Sequence, residues 1–329
     1  MIECIFSIDY EIYGNGQGSL MELVYEPSQR LADTFRKADA RFVPFVEVAE
    51  LEAIEARGTD GAVNLVRQQI REFYKEGFAP GLHLHPQWYN AQYVNGQWQL
   101  HYDEYNLCTL PRERIVQIVD RAIDYFRGVV GVSDYTPLAF RAGNWLFQPT
   151  ATAAEVLFER GVRIDSSVFK GGLRREHQLD YRRAPDGYYW RFSERADVAE
   201  PRGAWLELPI FTQMVPFWKM SSAKRLSMER QSLAVTRTRG KSLYRLRDSL
   251  RFLHPLKFDF CRMTIDELTR MMDKVIENDR ETPTVLKPLV AIGHTKELVD
   301  FETIERFLSY LKSHGIATST FDDIYRKCV

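Results

Sequence analysis

Two histidines stand one residue apart in the stretch GLHLHPQW, residues 81–88. If this stretch ends a β-strand, His83 and His85 project from one face, while the leucines beside them project from the other. Two imidazoles side by side suit a metal ion, but a zinc site normally has at least three protein ligands. The spacing therefore predicts part of a metal site. The alternative is a pair of hydrogen-bonded structural histidines.

The stretch SIDYE, residues 7–11, places two carboxylates with the same spacing. Asp9 and Glu11 follow an apolar, strand-like run, so both can project to one side. Two histidines, one carboxylate and an open fourth position are the pattern of a catalytic zinc site. The second carboxylate could accept a proton from a water molecule that the metal activates. A solvated acidic loop is the alternative interpretation.

Three further strand-like runs also end in ionisable residues. The first ends in Arg141, and Asn144 and Trp145 follow it. The second ends in Asp165, which Ser166 follows, and the third ends in His294. His294 follows the apolar run PLVAIG and could be a general acid tuned by a carboxylate such as Asp165. Arg141 could hold the carboxylate base through bidentate hydrogen bonds. A core histidine and an ion pair at the rim of the fold are the structural alternatives.

Short apolar runs alternate with amphipathic helical patterns along the chain. The strand-like runs are 2–8, 41–46, 80–85, 137–142, 162–167, 205–210, 288–294 and 315–320. The helical patterns are 62–77, 111–128, 264–279 and 301–315. This alternation predicts parallel βαβ units, and about seven of them predict one α/β domain with a (β/α) barrel. Functional groups of such a barrel gather at the carboxyl ends of the strands, where the residues above stand.

The chain has 329 residues and a formal net charge of −1, which gives no general attraction to nucleic acid. No apolar run approaches the roughly 20 residues of a membrane span, and no leader peptide is evident at the start. The four cysteines have no CxxC spacing and fit a reducing compartment. We therefore expect a cytoplasmic protein with no nucleic-acid partner and no transmembrane segment.

A basic segment interrupts the alternation. Residues 219–257 contain eleven Lys or Arg and only two acids, Glu229 and Asp248. Leucines stand at helical spacing within it, at positions 243, 246, 250 and 253. The pattern predicts a helical insertion at about 215–260 that packs its leucines on the barrel. The alternative is a surface facing an anionic partner, either a phosphate-bearing substrate or a membrane surface.

The ordered stretches SIDYE, GLHLHPQW, FRAGNW, RIDSS and AIGHT resemble the five motifs of the polysaccharide deacetylases of carbohydrate esterase family 4. The resemblance spans residues 5 to about 300 and implies a distorted (β/α) barrel that removes acetyl groups from N-acetylated sugars with a metal ion. It also implies roles for six residues. They are Asp9 as catalytic base, Glu11 and His83 as metal ligands, Arg141 and Asp165 as supporting catalytic residues, and His294 as catalytic histidine.

One departure concerns the second metal histidine, which the family places four residues after the first, where this chain has Gln87. Imidazole binds a borderline metal better than an amide oxygen does. We therefore predict that Glu11, His83 and His85 hold one divalent ion, and their ligand types favour zinc. The alternatives are that Gln87 completes the site as a weak ligand or that the metal site is impaired. The predicted substrate contacts are Gln87, Trp88, Asn144, Trp145 and Ser166.

The function predicted from this resemblance is a metal-dependent carbohydrate N-deacetylase. In the cytoplasm its substrate would be a nucleotide- or lipid-linked precursor of a surface polysaccharide, of the O-antigen or capsule type. One alternative is a noncatalytic carbohydrate-binding protein on a degraded deacetylase scaffold. Another is a deacylase that acts on amides other than sugars.

Overall fold

The structure is a computed structural model that describes residues 1–220, 222–228 and 252–328. Its strands, β1 to β15 in chain order, are Ile2–Tyr10, Phe42–Glu47, Gly81–Leu84, Gln92–Val94, Gln97–Gln99, Ala139–Ala142, Ile164–Asp165, Leu173–Arg174, Leu179–Asp180, Trp190–Phe192, Trp205–Glu207, Thr212–Pro216, Leu253–Lys257, Lys287–His294 and Ala317–Thr318. Helices of eight or more residues in these ranges, α1 to α8, are Glu26–Lys37, Val48–Arg57, Val63–Lys75, Arg112–Val130, Ala151–Glu159, Ile265–Asp279, Phe301–Ser313 and Phe321–Cys328. Each of the eight predicted strand-like runs contains a strand.

The main sheet is curled and mostly parallel. Its strands lie in the order β10-β11-β7-β6-β3-β2-β1-β14, with β15 also paired to β1, and only β10 is antiparallel to its neighbour. The sheet curls far enough that Ile210, just after β11, forms a parallel bridge with Val290 of β14 at the other edge. These contacts confirm the predicted distorted (β/α) barrel of about seven parallel strands, and the sheet has eight of them when β15 is included.

The interior of the barrel has an apolar layer and a polar layer. Ile5, Val43, Ala139 and Ile164 pack together inside, against Phe321 of α8. Because alternate residues of a strand share a face, positions two or four residues further along these strands also point inward. Those positions are Asp9, Glu47, Arg141 and Ser166, and all four are buried. The alternation of side chains therefore brings a polar layer together at the carboxyl ends of the strands.

The four predicted helical patterns correspond to α3, α4, α6 and α7. Helix α6 begins with the capping box of Thr264 and Glu267 that its sequence indicated. Four helices were not predicted, namely α1, α2, α5 and α8. Within the described ranges, none of the helices is long and apolar enough to span a membrane.

The middle of the basic segment, residues 229–251, lies outside the described residues, and so does most of the predicted helical insertion. Two antiparallel strands flank this stretch: β12 ends just before the basic segment, and β13 is the last part of it. Leu253, which we included in the helical spacing, is the first residue of β13. The helical pattern was wrong there because Pro255 lacks the backbone N–H that a continuing helix would need.

Candidate active site

Asp9 is the centre of a buried polar network. Its Oδ1 accepts a hydrogen bond from Nη1 of Arg141 at 2.7 Å. The other nitrogens of Arg141 donate to the backbone oxygen of Ser166 at 3.0 Å and to Oγ of Ser7 at 2.8 Å. The arginine thus makes one bond to the carboxylate and not the bidentate pair that we expected. Burial opposes ionisation of Asp9, but Arg141 and two histidines lower its pKa, so it is a carboxylate held in one position.

Glu11, His83 and His85 form a second group, which we call the acid–histidine cluster. Oε2 of Glu11 lies 3.5 Å from Nε2 of His83 and 3.2 Å from Nε2 of His85. The other carboxylate oxygen accepts a hydrogen bond from Nζ of Lys296 at 2.7 Å. Burial alone would raise the pKa of Glu11, but Lys296 and the two histidines lower it well below its usual range. The three residues predicted as metal ligands therefore converge, with both Nε2 atoms facing one carboxylate.

The outer nitrogens of the two histidines have separate partners. Nδ1 of His83 lies 2.8 Å from the backbone oxygen of Arg141, so it carries the proton and leaves Nε2 free to bind a cation. Nδ1 of His85 lies 3.2 Å from the side-chain amides of both Gln87 and Asn144. Gln87 therefore contacts the far side of the His85 ring. A 180° rotation of its amide would present the oxygen as acceptor for an Nδ1–H.

Glu47, at the end of β2, is a member of the site that the sequence analysis missed. Strand β2 lies between β1 and β3, and Glu47 is in register with His83. Its Oε1 caps α2 by accepting from the backbone N–H of Ala49 at 3.1 Å, whereas Oε2 is buried without a hydrogen bond in the described part of the chain. Burial raises the pKa of Glu47 to about 7. The rule that functional residues follow strand ends, applied to VPFVE, would have found it.

The ligand atoms and the charge of the cluster decide whether it fits a metal ion. Glu47 and the acid–histidine cluster together offer four ligand atoms that lie within 4.8 Å of one another. Burial alone would lower the pKa of His83, yet Asp9 and Glu11 raise it to about 9, which shows that the site favours positive charge. The unpartnered oxygen of Glu47 would be satisfied by a cation. The donor set therefore fits a divalent metal ion that accepts nitrogen and oxygen ligands.

His294 ends β14, in register with Asp9 of the adjacent strand. Its Nε2 lies 3.4 Å from Oδ2 of Asp9, and its Nδ1 lies 3.3 Å from Oε2 of Glu297. Glu297 is held by the guanidinium of Arg262, with 2.8 Å between Nε and Oε2. Burial opposes it, but His294 and Arg262 lower the pKa of Glu297 well below its usual range. Each nitrogen of the His294 ring therefore faces a carboxylate.

Asp165 does not supply the carboxylate beside His294, contrary to our expectation. It stands in register with Glu207, and its Oδ1 accepts from Oγ of Ser167 at 2.6 Å. The physical reason is the alternation of side chains along a strand, which turns Asp165 away from the interior where the next residue, Ser166, points. Ser166 lies 3.1 Å from Nη2 of Arg141 and donates to a backbone oxygen, so it positions the arginine.

A cavity of about 420 Å³ opens over these groups. Its lining includes Glu11, His85, Asn144, Trp145, Lys257 and His294. Of the predicted substrate contacts, Asn144 and Trp145 line it. Gln87 and Ser166 are buried beneath it, and Trp88 is buried against Trp98, with 5.2 Å between ring centroids. A sugar ring therefore cannot stack on Trp88 without unfolding of its surroundings.

The turn after β6 shapes the floor of this cavity. Asn144 and Trp145 have φ values of 53° and 60°, a left-handed conformation that is uncommon for residues other than glycine. At Gly143, an added Cβ would lie 2.7 Å from Cγ of His85 and 2.7 Å from the backbone oxygen of Leu84. Only glycine leaves room for His85 at this position. The stretch AGNW thus brings two cavity residues and one histidine into contact.

No family model and no curated protein matches the sequence, but solved structures match its fold. A protein from Mycobacterium smegmatis assigned as a polysaccharide deacetylase aligns with 99% of this chain and 89% of its own, at 13% identity and a TM-score of 0.56. One from Pseudomonas aeruginosa PAO1, assigned likewise, aligns with 99% and 90%, at 12% identity and a TM-score of 0.51. Puue allantoinase aligns with 99% and 89%, at 13% identity and a TM-score of 0.51.

Identities this low establish a shared architecture and leave the activity to be argued from the site, because one fold can carry several chemistries. The three structures align along almost the whole chain, and the barrel, its curl and its strand-end cluster agree with the fold that the five motifs implied. This chain has the fold of the polysaccharide deacetylases.

Proposed function

We propose that the protein is a metal-dependent hydrolase that removes the acetyl group from an N-acetylated sugar. The observation that carries this proposal is the position of Asp9, a buried carboxylate with His294 at 3.4 Å and His83 at 4.0 Å. A base, an acid and a set of metal ligands thus lie together, and Glu11, His85 and His294 among them line one cavity. Metal-assisted hydrolysis of an amide uses all three functions.

Glu11, His83 and His85 would hold the ion, and zinc suits their nitrogen and oxygen atoms. When bound, the ion would supply Lewis-acid polarisation of the amide carbonyl and would lower the pKa of the attacking water. Glu47 has a free carboxylate oxygen in the same group and could add a further ligand. Gln87, on the far side of His85, would orient that ring and would not bind the ion.

The residues around the ion would move the protons. Asp9, kept ionised by Arg141, accepts the proton of the attacking water. His294 donates a proton to the departing amine, and its Nδ1 faces Glu297 at 3.3 Å, on the side away from Asp9. The positions of Arg141 and Glu297 are in turn maintained by Ser166 and Arg262. The roles carried over from the motifs are thus compatible with the geometry, except that Glu297 takes the place we gave to Asp165.

The substrate class is supported by two features. Trp145 offers an aromatic surface in the cavity, on which the apolar face of a sugar ring can pack. Two structures with the same fold are assigned as polysaccharide deacetylases. The four free cysteines fit a reducing compartment, so we further propose a cytoplasmic enzyme that acts on a nucleotide- or lipid-linked precursor of a surface polysaccharide.

Acetate release tests this proposal. The zinc-loaded protein should liberate acetate from at least one member of a panel of N-acetylated sugars that includes free, phosphorylated and nucleotide-linked forms. The matched control is Asp9→Asn, which keeps the shape of the side chain and removes the base, and which should lower turnover by roughly 10²–10⁴-fold. Chelation should abolish release, and added zinc should restore it.

Two outcomes would contradict the proposal. If the loaded protein binds sugars but releases no acetate, it is a noncatalytic carbohydrate-binding protein. If it hydrolyses allantoin or another non-sugar amide and leaves every acetylated sugar intact, the chemistry is right and the substrate class is wrong. The complete Asp9, Arg141 and His294 network favours catalysis over the noncatalytic alternative.

A further inference from the structure

Positive side chains are in excess around the cavity that we assign to the substrate. Its lining contains Arg174, Arg225, Lys257, Arg262 and Lys296, against three carboxylates, Glu11, Asp259 and Glu297. Three of the five cations have acidic partners. Lys296 pairs with Glu11, Arg262 with Glu297, and Arg225 with Glu267. These three cations are therefore already paired with carboxylates of the protein. Arg174 and Lys257 have a different environment.

Within residues 1–220, 222–228 and 252–328, neither Arg174 nor Lys257 forms an ion pair with a carboxylate. Both are instead close to Trp145. Nζ of Lys257 lies 3.2 Å from the centroid of the indole ring, and the guanidinium carbon of Arg174 lies 5.8 Å from it. Burial and the neighbouring arginines lower the pKa of Lys257 to about 7, while the charges of Asp259 and Asp9 act in the opposite direction. A charged group in such a position is stabilised when an anion approaches it.

Trp145 links this end of the cavity to the catalytic end. Its ring centroid lies 6.2 Å from that of His294. The indole Nε1–H is buried and has no acceptor among the described residues. A buried donor without a partner costs free energy, and a ligand oxygen would satisfy it. Arg174, Lys257 and Trp145, which we call the cation end of the cavity, therefore combine two positive groups with an unused donor.

We propose that the cation end binds an anionic group of the substrate, so that the N-acetylated sugar is a charged one, either a sugar phosphate or a uronic acid. This inference rests on the proposed function for the identity of the sugar, but the binding itself does not depend on hydrolysis. Phosphate and carboxylate oxygens accept the same charge-assisted hydrogen bonds from guanidinium and ammonium groups. With the anion there and the ring against Trp145, the acetamido group would lie toward His294 and Asp9.

Calorimetry on the zinc-loaded full chain tests the proposal with three ligands: N-acetylglucosamine, its 1-phosphate and its uronic acid. At least one charged ligand should bind about 10- to 100-fold more tightly than the uncharged sugar, as expected for one or two charge-assisted hydrogen bonds. Which charged ligand binds better identifies the source of the anion. Arg174→Gln and Lys257→Gln should each reduce this preference by roughly tenfold, and inorganic phosphate should compete in the unaltered protein.

Arg175→Gln is the matched control, because Arg175 is the exposed neighbour of Arg174 and does not line the cavity. It should leave the preference unchanged. Equal affinity for charged and uncharged sugars, or an unchanged preference in both cavity variants, would overturn the proposal. A preference for charged sugars in a protein that releases no acetate would support the cation end and would contradict the proposed hydrolysis.

Discussion

Replacing His294 by alanine should lower the rate of acetate release by roughly 10²–10⁴-fold, the usual contribution of a general acid or base. His294 is the cavity residue whose ring faces both Asp9 and Glu297, and the two nearby histidines, His83 and His85, are assigned to the metal ion. The metal content should be unchanged, because His294 is not one of the three proposed ligands. Steady-state rates and metal analysis of the same preparation provide the two readouts.

His101→Ala is the control for this variant, since His101 is exposed and does not line the cavity. Its turnover should equal that of the unaltered protein. If His294→Ala lost its metal together with its activity, His294 would be a ligand and not the proton donor. A rate within about twofold of normal would remove His294 from the mechanism altogether.

Replacing Arg141 by alanine should lower the free energy of unfolding by about 3–5 kcal/mol, the cost of breaking a buried ion pair. The guanidinium is 0% exposed and stands 4.1 Å from the centroid of the Phe45 ring. Its removal would leave the carboxylate of Asp9 and the backbone oxygen of Ser166 buried without the hydrogen bonds that Arg141 donates to them. Urea denaturation of the metal-free protein would measure the change without a contribution from metal binding.

A second substitution distinguishes loss of the ion pair from loss of packing. Asp9→Asn combined with Arg141→Ala should be more stable than Arg141→Ala alone, because the neutral amide is less costly to bury than a carboxylate. Arg112→Ala, which breaks exposed ion pairs with Glu155 and Glu159, should cost at most about 1 kcal/mol. If Arg141→Ala cost no more than this control, Arg141 would not be holding Asp9 in place.

The sequence predicted the eight parallel strands of the main sheet because each lies in a short apolar run, and several of these runs end in a polar group. The same pattern located Asp9, Glu11, His83, Arg141 and His294, and the barrel brings all five to one end. The pattern does not show which of two adjacent polar residues points inward. At RIDSS, the register of β7 with β6 decides this, and it places Ser166 inside and Asp165 outside.

Site residues that lie on the β12–β13 ribbon and on the turn after β14 were harder to predict from the sequence. Lys257 reaches the cavity because the ribbon of β12 and β13 folds over it, whereas the sequence there suggested a helix. Glu297 meets His294 through a short turn, Thr295–Glu297, that has no periodic pattern. Helix α1 does carry a local signal, Pro27 in its first turn, which is typical of a helix start. Contacts that depend on tertiary closure left no local pattern to find.

The most direct test of the account is the metal content of His85→Ala and Gln87→Ala, purified without chelator, supplied with zinc and analysed by mass spectrometry. The unaltered protein should hold about one zinc ion per chain. His85→Ala should lose the ion, because Nε2 of His85 faces the carboxylate of Glu11 at 3.2 Å. Gln87→Ala should keep it, because the Gln87 amide contacts only Nδ1, on the far side of that ring. Retention of the ion by His85→Ala and its loss from Gln87→Ala would contradict the assignment.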